Sequence, residues 1–149
     1  MKCLDLEILA SSVSRLPLRD ITVISENSSV KEALNALVTH KIGAIPRVDQ
    51  DGGLAGIVSE RDLVRAINHS NNVDETLASV ISSFATLNVK TIAPNDTIAY
   101  SLQLMSLGGF RHVPIVTTDA SDRIIPLSIL SVRDVVDFIV AELNKEILL

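Results

Sequence analysis

The sequence predicts an α+β fold: a βαββα unit used twice, its two pseudo-symmetric repeats packed as one module. Three observations lead there. Thr22–Pro46 (TVISENSSVKEALNALVTHKIGAIP) aligns without a gap to Lys90–Pro114 (KTIAPNDTIAYSLQLMSLGGFRHVP), the prolines standing 68 apart (114 − 46). Past the prolines, Gly56–Ile67 matches Ser128–Ile139 at an offset of 72 (131 − 59), so the second copy gains four residues in between. Within each copy, short aliphatic runs alternate with stretches of helical periodicity.

The elements follow in order. Residues 1–20 form a lead-in, with Leu4–Ser14 spaced as a short amphipathic helix that Pro17 and Asp20 break. The first repeat spans residues 21–70. Ile21–Ile24 alternates as a short strand. Ser29-x-x-Glu32 is a capping box, and its helix carries Val30, Ala33, Leu34, Leu37 and Val38 on one face. Gly43 is expected to end that turn. Ile45–Val48 and Leu54–Val58 read as strands joined at Asp51-Gly52, a hairpin signal. Pro46 gives up a ladder hydrogen bond and so marks an edge or an opening. A second helix starts at Ser59 and runs to Ile67. Asn68–Val73 is polar and loop-like, and residues 71–88 form a linker with a helix over Asp74–Ser83.

The second repeat spans residues 89–149. Its helix from Thr97 carries Ile98, Leu102 and Met105 and stops at Gly108-Gly109. A longer hairpin loop, Thr117–Arg123, is expected to absorb the four extra residues. Pro126 falls where the first copy has Leu54, which predicts an edge or an irregular strand. The last helix, Val132–Lys145, outlasts its counterpart. Its Phe138, Ile139, Val140 and Leu143 are available to pack on the N-terminal helix or on a partner.

Composition narrows the function. A chain of 149 residues buries about 70% of its unfolded surface. Apolar residues make up 47% and aromatics only 3%, with mean hydropathy +0.37, so the core is aliphatic and the surplus points to a homodimer interface. No apolar run reaches membrane-span length. The net charge of −5 argues against a nucleic-acid partner. A single cysteine, Cys3, excludes an internal disulfide and suits a reducing compartment. Acids within the first apolar stretch argue against a signal peptide, so the expected location is cytoplasmic. The sequons at Asn27, Asn68 and Asn95 are then chance. His40, His69 and His112 have no metal-ligand spacing, and there is no G-x-S-x-G, P-loop or G-x-G-x-x-G. Neither an enzyme nor a metal or cofactor is expected.

Several motifs occur together: S-V-K-E-A-L, I-G-A-I-P and D-G-G-L-A-G-I-V-S-E-R-D-L-V-R-A in the first copy, T-I-A, F-R-H-V-P and S-V-R-D-V-V in the second. With these the chain resembles a tandem pair of cystathionine-β-synthase (CBS) domains over about Ile21–Val140. The resemblance implies βαββα units, usually dimerised, with clefts between the repeats for adenosine-containing ligands such as AMP, ADP or ATP, and a regulatory role. Three departures stand out: Ser128 replaces Gly56, the second hairpin lacks Asp-Gly, and Arg47 stands where the family more often has an aliphatic residue.

By that resemblance Ser59 with Asp62, and Ser131 with Asp134, hold ribose hydroxyls. A carboxylate accepts two hydroxyl protons in a fork, and such charged hydrogen bonds contribute about 1.5–3 kcal/mol. The plainer reading of each tetrad is a helix cap. The backbone at Ala44-Ile45 and at His112-Val113 is expected beside the adenine edge, and Ile24 and Ile92 against the base. Arg111 and His112 either form a solvated strand end or suit a phosphate, where the first copy has only Gly43 and Ala44. Arg133 and Arg61 either lean toward phosphates or face solvent. The rival reading is a ligand-free assembly scaffold of the same fold, which has no need of two Ser/Asp pairs.

Overall fold

The structure is a computed structural model describing residues 4–147; Cys3 lies outside the described residues. The elements are α1 (Leu4–Leu9), β1 (Ile24–Ser25), α2 (Val30–His40), β2 (Ala44–Val48), β3 (Leu54–Ser59), α3 (Glu60–Asn68), α4 (Val73–Ala78), α5 (Ile98–Gly108), β4 (His112–Thr118), β5 (Ile124–Ser131) and α6 (Val132–Ile147). No helix among the described residues is long and apolar enough to cross a membrane. The chain divides into two compact units, which cut across the order of the sequence. The first comprises residues 21–89 with 118–126. The second comprises residues up to 20, then 90–117 and the chain from 127.

In the first unit the sheet order is β1-β2-β3, β1 parallel and β3 antiparallel to β2. The core is aliphatic as expected: Val30, Ala33, Leu37, Ile45, Val58, Leu63 and Ile81 are buried together. The Ser29–Glu32 capping box forms, with Ser29 N donating to Glu32 Oε2 at 2.8 Å and Glu32 N to Ser29 Oγ at 3.1 Å. The helix ends at Lys41 and not at Gly43: Lys41 takes the left-handed conformation (φ 52°) and its N–H bonds the Leu37 and Val38 carbonyls. Gly43 instead presents its carbonyl to the start of α3.

Pro46 lies in the central strand, contrary to the edge or opening expected. It faces Ile57, whose N–H and C=O bond Thr86 on the other side at 3.0 and 2.9 Å. The Pro46–Ile57 pair therefore shares no ladder bond, and the missing N–H costs nothing there.

Arg47, the odd residue of the repeat, is only 3% exposed. Its Nη1 donates to the Ala55 carbonyl (3.2 Å) and its Nη2 to the Glu26 carbonyl (3.1 Å), while Nε has no partner. Gly56 makes the room. A Cβ there would lie 2.8 Å from Arg47 Nη1 and 2.7 Å from the Thr86 carbonyl oxygen.

The linker is part of this unit. It is not one helix over Asp74–Ser83, because Ser79 is extended and splits it into α4 and a 3-10 turn at Ile81–Ser83. The split frees backbone for α2: Val30 N bonds Ser79 O (2.9 Å) and Ile81 N bonds Ser28 O (2.8 Å).

The second unit repeats this arrangement with the N-terminal lead-in. The helix predicted to Ser14 stops at Leu9, and a 3-10 turn follows at Val13–Arg15. Ile98 N bonds Ser11 O (2.9 Å) and Val13 N bonds Asp96 O (2.9 Å). Val13 thus stands to the second repeat as Ile81 stands to the first, again 68 apart (81 − 13). The core gathers Val13, Ile92, Ile98, Val113, Ile115, Leu130 and Val135. The counterpart of β1 shrinks to a single parallel bridge, Ile92–Ile115.

The four extra residues do not lengthen the second hairpin's loop. β4 and β5 have seven and eight residues where β2 and β3 have five and six, so each strand gains two. The two turns are the same device. Asp49 Oδ1 accepts from Asp51 N (2.9 Å) and Gly53 N (3.0 Å); Asp119 Oδ1 accepts from Ser121 N (2.8 Å) and Arg123 N (3.0 Å). Asp122 (φ 60°) takes the left-handed place that Gly52 (φ 82°) fills in the first. Pro126 sits in β5 of a two-stranded sheet, an edge as expected.

Candidate functional site

Each unit builds one polar corner where a strand enters and a helix leaves. In the first, β2–β3 pairing sets Ala44 opposite Ser59 and Ile45 opposite Val58. Glu60 N bonds the Gly43 carbonyl at 2.9 Å, which holds the start of α3 against the start of β2. Asp62 Oδ2 accepts from Ser59 N (2.8 Å) and Ser59 Oγ (2.9 Å), and Ser59 Oγ accepts from Asp62 N (3.3 Å).

The second corner matches. Val132 N bonds the Arg111 carbonyl at 2.9 Å. Asp134 Oδ2 accepts from Ser131 N (2.9 Å) and Ser131 Oγ (2.8 Å), and Ser131 Oγ accepts from Asp134 N (3.0 Å).

The helix-cap reading of each tetrad is the one formed in this geometry. Each serine and aspartate caps its helix, yet the cap uses one carboxylate oxygen only. Oδ1 of Asp62 and of Asp134 stays outside it, at a helix N-terminus that favours negative charge. Such a carboxylate is held in place and can still accept from a vicinal diol.

The other expected residues fall less evenly. Ala44, Ile45 and Val113 are buried, so only their backbone edges could serve a ligand. Ile24 is half-buried and packs on the first core, whereas Ile92 is inside the second. Arg111 is exposed and His112 half-buried at the start of β4. Arg133 turns away: its Nε bonds Asp137 Oδ1 at 3.1 Å on the open face of α6.

One feature escaped the sequence reading. A groove of about 620 Å³ runs from Asp62 along α3 in the first unit, lined among others by Arg65, Ala66, His69, Glu75 and Phe84. Its signal was the small Ala66 on α3, where the second repeat carries Phe138. There Arg15 lies 5.6 Å over the Phe138 ring and 3.6 Å from Glu142. The Lys145 ammonium, aided by Arg15, holds the Glu142 carboxyl below its usual range.

The CBS domain model matches residues 13–69 and 81–141. Both matches begin at the structurally equivalent Val13 and Ile81. The CBS-domain containing protein ATU1752 from Agrobacterium tumefaciens is 34% identical, with a TM-score of 0.74 over 87% of this chain and 94% of its own. CBS domain protein PAE2072 from Pyrobaculum aerophilum, complexed with AMP, is 22% identical with a TM-score of 0.70, covering 83% of this chain and 88% of its own. The CBS domain pair of protein MJ0100, in complex with 5′-methylthioadenosine and S-adenosyl-L-methionine, is 23% identical with a TM-score of 0.73, covering 89% and 98%. Matched twice over most of its length, the chain belongs to the CBS-domain family and carries two copies of the domain.

Proposed function

We propose that this protein is a regulatory ligand-sensing module that binds an adenosine-containing ligand at its two Ser-x-x-Asp corners. The observation that carries the reading is the duplicated cap, which leaves one carboxylate oxygen uncommitted beside a serine hydroxyl in both units. The AMP bound by the Pyrobaculum protein and the adenosine derivatives bound by MJ0100 support it. At the second corner Arg111 favours a phosphorylated ligand, AMP-, ADP- or ATP-like. Arg133 would have to leave Asp137 to help.

Asp134→Ala tests the reading. It removes one charged hydrogen-bonding partner, worth about 1.5–3 kcal/mol, so AMP affinity at that corner should fall roughly 10- to 150-fold by calorimetry. Unchanged affinity with the fold intact removes Asp134 from the site.

The module works as a homodimer in this proposal. Val136, Val140 and Leu143 form an exposed apolar stripe on α6, and Leu107 on α5 is 80% exposed. A monomer mass by light scattering at micromolar concentration refutes the dimer.

A further inference from the structure

The two lead-ins agree bond for bond up to one residue and then part. Arg15 N bonds the Ser12 carbonyl (3.1 Å) and Leu16 N the Val13 carbonyl (3.1 Å), as Ser83 N bonds Val80 O (3.2 Å) and Phe84 N bonds Ile81 O (3.0 Å). Next, Ala85 N returns to Ile81 O at 3.0 Å. Its counterpart is Pro17 (85 − 68), which has no N–H to return. In the first unit the chain goes on to clamp the sheet: Thr86 exchanges two backbone bonds with Ile57, two residues before the capping Ser59. In the second unit Leu18 stands for Thr86 (86 − 68) and Ile129 for Ile57 (57 + 72). No bridge joins these two among the described residues. Leu18 N turns back to Leu16 O at 2.8 Å, and its side chain packs on the core. The segment meets β5 one residue later, where Ser128 Oγ donates to Arg19 O at 3.1 Å.

Ser128 is a second obstacle to a clamp. The Thr86 carbonyl oxygen lies 2.7 Å from where a Cβ on Gly56 would stand, and Ser128 has that Cβ. Proline and serine thus hold the segment off the strand, while the Arg19 bond keeps it alongside, one residue out of the first unit's register. We propose that Leu16–Asp20 is a strap with two positions on β5: the hung one just described, and a minor, clamped one in which Leu18 pairs with Ile129. The clamped position tightens the second corner. Ile129 stands two residues before Ser131, so fixing its backbone removes motion that a ligand at the Ser131–Asp134 cap otherwise has to freeze. The effect is mutual, and a ligand at that corner draws the strap toward the clamp by the same factor. The first corner has its clamp built in, so the strap sets the second corner's affinity for a nucleoside below the first's. This rests on the nucleoside reading of the corners.

The test uses the full chain with Asp62→Ala silencing the first corner, and reads amide hydrogen exchange at Ile129 and calorimetry with adenosine. Pro17→Ala combined with Ser128→Gly gives the strap the residue types of the first unit. The Ile129 amide should then exchange at least about tenfold more slowly, toward the rate of Ile57, and adenosine should bind about fivefold tighter. Saturating adenosine should slow the same amide without either substitution. Pro17→Ala alone, on an exposed residue, should move both readouts part of the way, so the test does not depend on the double variant folding. Unchanged exchange at Ile129 in these variants overturns the strap. Slowed exchange with unchanged affinity overturns its hold on the corner. Absence of adenosine binding in every variant overturns the nucleoside reading, and the exchange measurement still decides whether the strap can clamp.

Discussion

The two repeats share a cap, a turn and a lead-in, yet they place their cations differently. The second has an exposed Arg111, whose carbonyl accepts from Val132 N, and closes the flank of its last helix with Phe138, Arg15 and Glu142. The first has Gly43 and Ala44 in the equivalent place, and its Arg65 stands instead along an open groove. A duplicated scaffold can thus keep one recognition element and diverge in what surrounds it. The capping aspartate is constrained by the helix it starts.

The largest expected break in this comparison concerns Gly56 and its counterpart Ser128. Gly56→Ser would push a side chain into the Thr86 carbonyl and the Arg47 guanidinium, and should cost about 3 kcal/mol in urea unfolding. Ser128→Gly loses only the bond from Ser128 Oγ to the Arg19 carbonyl (3.1 Å) and should cost about 1 kcal/mol. Equal costs would mean that Arg47 does not need the space.

Next in size is the pair of corners. Asp62→Ala and Asp134→Ala should each remove one of two calorimetric binding events, with losses of about 1.5–3 kcal/mol. Loss of both events from either substitution would mean a single shared ligand.

Arg111→Ala sharpens the difference in charge. AMP should lose about tenfold in affinity at the second corner and adenosine almost nothing, because a guanidinium acts through the phosphate. The loss should shrink with added salt. Equal losses for the two ligands would assign Arg111 to the base or to the fold.

The smallest effect compares the hairpin turns. The side-chain bond from Arg123 Nε, at 2.7 Å, holds the Asp119 carboxyl below its usual value of 3.8. A carboxyl depressed in the folded state adds stability that is present above its unfolded pKa and is lost as pH falls through the lower folded value. The effect is confined to the acid range below about pH 4. Carboxyl NMR should show Asp119 titrating upward in Arg123→Ala, with the shared turn intact; an unmoved titration would assign the shift to the turn's own N–H groups.

By itself the sequence determined the local devices and the duplication. Ser29, Ser59, Thr97 and Ser131 announce their helices because a capping hydroxyl and its N–H partner lie three residues apart. The aliphatic spacing announced both cores. Tertiary structure alone decided three other matters. Ser79 and Ser12 break helical runs to bond Val30 and the Pro94–Thr97 segment, so the lead-in of each repeat comes from chain that precedes it and looks like a linker. Pro46 can sit mid-sheet because β3 meets it in a register where Ile57 turns its N–H and C=O away from the proline, toward Thr86. The groove depends on what α4 and Phe84 bring opposite Ala66, a residue ordinary in itself. Each of these depends on groups brought together across long separations, where local propensity carries no information and the pairing energy comes only from the finished fold.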